Sequence, residues 1–173
     1  MKIALLIIDM QKVFLSNRKE INGIEKACEY INYVADLLRS RTQLIIHVKD
    51  VEGESERDKS LSEFIPEIKV KEGDMEISKL KSNSFWNTDL ENILLKNKAE
   101  LVIVSGFAAE NCVLFTYNGA VERNFKTVIL QNGIIGENSA SILETYRDRN
   151  IISYPAIEFL MNNISTVDSG LST

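Results

Sequence analysis

The sequence predicts an α/β fold: a doubly wound, mostly parallel six-stranded sheet with helices on both faces. Three observations predict it. Strand-like and helix-like patterns alternate along the chain, the signature of a parallel sheet covered by crossover helices. The strand candidates, "KIALLIID" and "AELVIVSGF" among them, are continuous apolar runs, as strands buried on both faces require. The segments between them carry apolar residues at helical spacing. With 173 residues, 45% of them hydrophobic, the chain suits one domain over 1–162. The tail 163–173 is expected to be mobile, because "ISTVDSGLST" offers too few apolar residues to pack.

The elements follow in order. "KIALLIID" is the first strand, and "GIEKACEYINYVADLLRSR" is a helix whose apolar stripe runs through Ile24, Ala27, Ile31, Val34, Leu37 and Leu38. "QLIIHVKD" is the second strand. From Val51 to Glu76 the pattern loosens into charge-rich sequence, "EGESERDKS", then "FIPEI" and "KEGD", which predicts a long loop with a short helix. Long loops in compact domains are often functional, although charge alone fits a solvated excursion equally well. "MEISKL" is a short strand, and "TDLENILLKN" a helix with Thr88 as its N-cap. "AELVIVSGF" is the next strand, followed by the helix "ENCVLFTYNGAVERN", the strand "KTVILQNG" and the helix "SASILETYRDRN". "IISYPAIEFLMNN" closes the sheet with a short strand and, at Pro155, starts a terminal helix.

Composition narrows the function. Twenty Lys and Arg against 25 Asp and Glu give a net charge of -5, which argues against nucleic acid, since phosphate binding needs clustered basic residues. A small-molecule partner fits better. The opening "MKIALLIID" superficially matches a secretory leader, but Asp9 interrupts it and no small-residue cleavage site follows. No apolar run approaches the roughly 20 residues that span a bilayer. Cys28 and Cys112 are far apart and lack metal-ligand spacing, so neither a disulfide framework nor a zinc site is expected. These features point to a cytoplasmic enzyme without a metal or other cofactor.

In open parallel sheets, ligands bind beyond the carboxyl ends of the strands, where the strand order reverses. Three chemically able residues map there. Asp9 ends the first strand, Lys79 follows "MEIS", and Cys112 lies on the first turn of the helix after "VIVSGF". Only a thiolate is a good nucleophile, and a thiol at a helix N-terminus beside a cation is expected to ionise more readily. Asp9 within reach takes the thiol proton and returns it to a leaving amine. The "GFAAENC" turn can aim backbone N–H groups at one point, an oxyanion hole for a tetrahedral intermediate.

These residues carry a family resemblance. "LLIIDMQKVF" resembles the Asp-x-Gln-x-x-Phe opening of the isochorismatase-like cysteine hydrolases, which include nicotinamidase-related amidohydrolases. "KLKSNSFWNTDL" resembles that family's Lys-x-x-x-Ser-Ala-Phe-x-x-Thr-x-Leu segment, aligning Lys79 rather than Lys81 with its lysine. "SGFAAENCVLFTYNGAVERNF" is similar to its Gly-x-x-Thr-x-x-Cys-Val-x-x-Thr-x-x-x-Ala motif. The three matches occur in family order and span Leu5 to Phe125. The resemblance implies a Rossmann-like hydrolase fold with Asp9 as general base, Lys79 as electrostatic partner and Cys112 as nucleophile. It also implies a cis peptide between Phe107 and Ala108 that aims the Ala108 N–H, with that of Cys112, at the oxyanion. The family often assembles as homo-oligomers, so a dimer or larger assembly is expected.

Departures matter too. The family's frequent threonine three residues before the cysteine is Ala109, which removes a hydroxyl that can brace the turn. Its aspartate after the following strand is Asn132. The nicotinamidase branch holds a metal with Asp-x-His and a second histidine, whereas this chain has one histidine, His47, and reads "DVE" at 50–52. Metal-dependent nicotinamide binding is therefore not expected. His47 is expected to be a satisfied strand residue and Cys28 a structural one. Phe14, Phe85, Trp86 and Phe107 flank the site and serve equally as packing or substrate walls. Gln11 is read as a substrate-orienting or lysine-orienting amide, with surface capping as its plain alternative. The expected activity is amide hydrolysis on a small carboxamide or ureido compound. The alternatives are isochorismatase-type vinyl-ether hydrolysis, which needs no thiol, and a catalytically idle binding member of the fold.

Overall fold

The structure is a computed structural model, describing residues 1–16, 18, 23–53 and 58–163. The expected tail therefore lies, except for Asn163, outside the described residues, and so does the part of the long loop at 54–57. Six strands form one sheet: β1 (Ile3–Ile8), β2 (Leu44–Asp50), β3 (Met75–Lys79), β4 (Leu101–Phe107), β5 (Lys126–Ile135) and β6 (Ile151–Ile152). Their order is β3-β2-β1-β4-β5-β6, and every pair is parallel. The expected mostly parallel sheet is thus entirely parallel among its named strands.

The helices are α1 (Lys12–Leu15), α2 (Ile24–Arg39), α3 (Leu90–Lys96), α4 (Cys112–Glu122), α5 (Ser139–Asp148) and α6 (Tyr154–Asn163). The alternation of β1 divides them. Ile3, Leu5 and Ile7 pack with Ile31, Val34 and Leu38 of α2 and Ile157 and Met161 of α6. Ala4, Leu6 and Ile8 pack with Leu90 and Leu94 of α3 and Val113 and Ala120 of α4. Both faces of β1 are buried, which is why its sequence is apolar throughout rather than alternating.

Some boundaries differ from expectation. The one-turn helix α1 carries too few residues to show a period. The long loop does contain its short helix, a 3-10 turn at Lys59–Ser62. Helix α3 begins at Leu90 rather than after Thr88, but the Thr88 hydroxyl accepts the Leu90 N–H at 3.3 Å and still closes the first turn. Strand β5 runs two residues beyond "KTVILQNG", because Val104 to Gly106 of β4 faces Ile129 to Ile134 of β5 and the surplus bulges outward. Asn132 sits in that bulge with φ 60°, a left-handed conformation that asparagine tolerates.

Candidate active site

Strand order reverses between β1 and β4, and the chemistry gathers at that point. Asp9 follows β1, Asp50 ends β2, Lys79 ends β3 and Cys112 opens α4 just after β4. The Lys79 ammonium is fully buried, 2.8 Å from Asp9 Oδ2 and 2.8 Å from Asp50 Oδ2. It also donates to Cys112 Sγ at 3.3 Å. The two carboxylates and the sulfur lie within 4.8 Å of one another, a spacing that also suits metal ligation, and the cation set among them is Lys79. Asp9 Oδ2 is ion-paired with Lys79, and Asp9 Oδ1 has no hydrogen-bond partner among the described residues. A buried carboxylate is costly unless paired, and the Lys79 ammonium supplies that pair beside the Cys112 sulfur.

The turn from β4 to α4 is built for close approach. At Gly106, φ is +106° and a Cβ would stand 2.1 Å from the Ile8 carbonyl oxygen, so only glycine lets β4 pass so near the end of β1. The Phe107–Ala108 peptide is cis. The Ala108 carbonyl accepts from Asn111 N at 2.9 Å and Val113 N at 3.1 Å, while Ala109 N donates to Ile135 O at 2.8 Å. The Ala108 and Cys112 N–H groups meet no acceptor among the described residues.

An isochorismatase domain model matches residues 3–147. The chain belongs to the isochorismatase-like hydrolase family. The uncharacterized isochorismatase family protein YrdC of Bacillus subtilis is 25% identical over 175 residues, covering 96% of this chain and 91% of that protein. The isochorismatase-like hydrolase from Alkaliphilus metalliredigens shares the fold with a TM-score of 0.82 at 21% identity, over 92% of this chain and 99% of that one. N-carbamoylsarcosine amidase from Thermoplasma acidophilum shares it with a TM-score of 0.73 at 24% identity, over 86% of this chain and 92% of that one. Among the described residues, no helix is long and apolar enough to cross a membrane.

In this isochorismatase-like hydrolase the charges differ from the sequence expectation at one point. Burial raises the Asp9 pKa to about 6, against the opposing pull of Lys79. Burial together with the Asp9 charge pushes Cys112 up to about 12, and Lys79 only partly offsets them. Cys112 therefore rests as a thiol rather than the expected activated thiolate. Lys79 stays charged: burial opposes its charge, but Asp9, Cys112 and Asp50 outweigh burial and raise its pKa. Asp9, with its pKa near neutrality, has the value suited to a general base.

The turn's missing threonine hydroxyl is replaced from elsewhere. Thr145 of α5 donates its hydroxyl to the Ala109 carbonyl at 3.2 Å, and Glu110 Oε1 accepts the Glu137 N–H at 2.9 Å. On the other side, the Thr116 hydroxyl of α4 meets Ser84 N at 3.0 Å and Ser84 Oγ at 2.8 Å. That tie fixes the segment after Lys79 to the helix that carries Cys112.

The remaining candidates have distinct placements. Gln11 is fully buried with both ends of its amide bonded to backbone, so it braces the site and does not face a substrate. Phe85 is buried, stacked on Phe125 at 6.1 Å beneath the Arg123 guanidinium, which assigns it to packing. Phe14 and Phe107 pair at 6.0 Å, and Trp86 is 60% exposed. His47 is buried outside the cluster, its Nε2 3.0 Å from Asp74, but its Nδ1 has no hydrogen-bond partner among the described residues, so the expected strand histidine is only half satisfied. Burial lowers its pKa despite Asp74.

Asp50 is the site residue that sequence reasoning missed. "QLIIHVKD" ends in a carboxylate just as "KIALLIID" does, and the strand-end argument that selected Asp9 applies to it equally.

Proposed function

We propose that this hydrolase is a cysteine amidase acting on a small carboxamide or ureido compound. The observation that carries the reading is the contact of Cys112 Sγ with Lys79 at 3.3 Å inside a cluster that also holds Asp9. The likeness to N-carbamoylsarcosine amidase supports the choice of bond. Asp9 takes the Cys112 proton as the sulfur attacks the carbonyl carbon, and the Ala108 and Cys112 N–H groups receive the oxyanion. The protonated Asp9 then gives its proton to the departing nitrogen, the C–N bond breaks, and ammonia or an amine leaves a thioester on Cys112. Water, deprotonated by Asp9, attacks the thioester, the C–S bond breaks, and the acid departs with the thiol restored. Lys79 holds Asp9 and the sulfur together and balances the negative charge that moves between them.

A screen of small primary amides and ureido compounds for ammonia release tests this reading. Asp9→Asn is expected to lose roughly 10²–10⁴-fold in turnover, and Cys112→Ser to abolish it. Cleavage of isochorismate that survives in Cys112→Ala, with no amide turned over, overturns the reading in favour of vinyl-ether hydrolysis. We further propose that the enzyme works in the cytoplasm as a homo-oligomer. Exposed Leu80, Trp86 and Phe115 supply apolar surface for self-association, and sedimentation velocity is expected to show a dimer or larger species.

A further inference from the structure

Asp50 is the one charge of the cluster that the proposed mechanism leaves without a chemical task. Its side chain is also the most open of the three charged groups, 12% exposed against 1% for Asp9 and 0% for Lys79. Oδ2 is engaged by Lys79 and Oδ1 accepts the Glu52 N–H at 2.9 Å. A carboxylate has about four acceptor positions, so lone pairs remain for an incoming group. Whatever reacts at Cys112 arrives within a few ångströms of this carboxylate, because its oxygen lies within 4.8 Å of the sulfur.

The charge balance gives this position a consequence. Two carboxylates, one ammonium and a neutral thiol leave the cluster with one net negative charge, and passing the proton from Cys112 to Asp9 does not change that sum. Lys81, two residues past Lys79, does not cancel it, since it is exposed and paired with Glu52 at 3.1 Å. We propose that Asp50 selects substrates by charge, accepting an N–H from a neutral or cationic amide and rejecting molecules that carry a carboxylate beside the scissile carbonyl. This rests on the amidase reading for the identity of the bond, but the selection itself is measurable without turnover.

The full-length protein is treated with iodoacetamide and with iodoacetate, and alkylation of Cys112 is followed by peptide mass spectrometry, which separates it from the buried Cys28. After normalisation to free cysteine, iodoacetamide is expected to react roughly tenfold faster or more, given the repulsion between like charges a few ångströms apart in a partly buried site. In Asp50→Asn, or in Asp50→Ser if the first variant folds poorly, the ratio is expected to fall towards that of free cysteine. Equal rates in the wild type, or undiminished discrimination in the folded variant, overturn the proposal. Turnover gives a second arm with lactamide, glycinamide and oxamate. Oxamate cleaved as fast as lactamide refutes charge selection and leaves the amidase reading intact. Discrimination in alkylation without ammonia from any amide screened counts against the amidase reading and for the selection.

Discussion

Gln11 grips the Asp50 peptide from both sides. Its Oε1 accepts the Asp50 N–H at 2.8 Å, and its Nε2 donates to the Asp50 carbonyl at 3.0 Å. The same Nε2 donates to the Ser62 carbonyl at 3.0 Å, so one buried amide joins the ends of β1 and β2 to the long loop. Gln11→Leu leaves these three backbone groups buried and unpaired. At about 1–3 kcal/mol for a group so stranded, with partial relaxation, the variant is expected to lose roughly 2–4 kcal/mol of stability by urea denaturation. Amidase activity is expected to fall with it as Asp50 and Lys79 shift. A loss within experimental error means that the loop and strand ends are held by other contacts.

In the proposed mechanism the Asp9 carboxyl sets the pH dependence. With its pKa at about 6 and Cys112 at about 12, the active form has Asp9 ionised and the thiol protonated. The rate constant kcat/KM is expected to rise about tenfold per pH unit below 6 and to level off from neutrality to pH 9. A rise that continues with pH above 8 identifies a thiol that ionises without Asp9. Stability runs the opposite way. The folded protein binds the Asp9 proton more tightly than the unfolded chain, whose carboxyl stays near 3.8. Its contribution is fully present below that value and is lost as pH rises through about 6. Asp9→Asn is therefore expected to be more stable, relative to wild type, at pH 8 than at pH 4, by about 2 kcal/mol for a shift of this size.

Lys79 is the only counter-charge that the described structure places between Asp9 and Asp50. Removing one partner of a buried ion pair strands the other charge, at a cost of about 3–5 kcal/mol. Lys79→Met strands two. The Asp9 pKa, already raised to about 6, then moves further up, so the variant is expected to be weakest above neutrality and to recover as pH falls to 5, measured as the difference in urea midpoints. A penalty independent of pH assigns the loss to packing of the lysine stem instead.

Much of this site was legible before the fold was known, for a physical reason. A parallel sheet sends the ends of its strands to one edge, so residues after "KIALLIID", "MEIS" and "VIVSGF" had to converge once the strands were recognised. Asp50 obeys the same rule, and only the absence of a histidine at the end of "DVE" hides it, because a carboxylate without a metal partner carries no motif. What the sequence could not show is tertiary. The pKa of Cys112 depends on how deeply it is buried and on the Asp9 charge beside it, and together they outweigh the lysine. The role of Gln11 depends on the long loop folding back to offer the Ser62 carbonyl, a contact 51 positions away. Thr145 standing in for the hydroxyl absent at Ala109 depends on the packing of α5, which no local motif records.

Gly106 links the fold to the chemistry most directly. Its φ of +106° is strained for any residue with a side chain, and an added Cβ would lie 2.1 Å from Ile8 O and 2.6 Å from Ile8 N. These are backbone atoms of a fully buried central strand, so no rotamer change relieves the clash. Gly106→Ala must either push β4 away from β1 or unfold the turn that leads to Cys112. A destabilisation above about 4 kcal/mol is expected, the range reserved for backbone strain and overpacking at special positions, seen as a lower melting temperature or loss of folded protein. If folded variant is recovered, the shift of β4 carries the Ala108 and Cys112 N–H groups off the carbonyl oxygen. Its kcat is then expected to drop far more than its KM changes, because the oxyanion hole of the proposed mechanism would act on the transition state rather than on bound substrate. Wild-type kcat in a stable Gly106→Ala variant shows that the approach of β4 to β1 does not set the geometry of the turn.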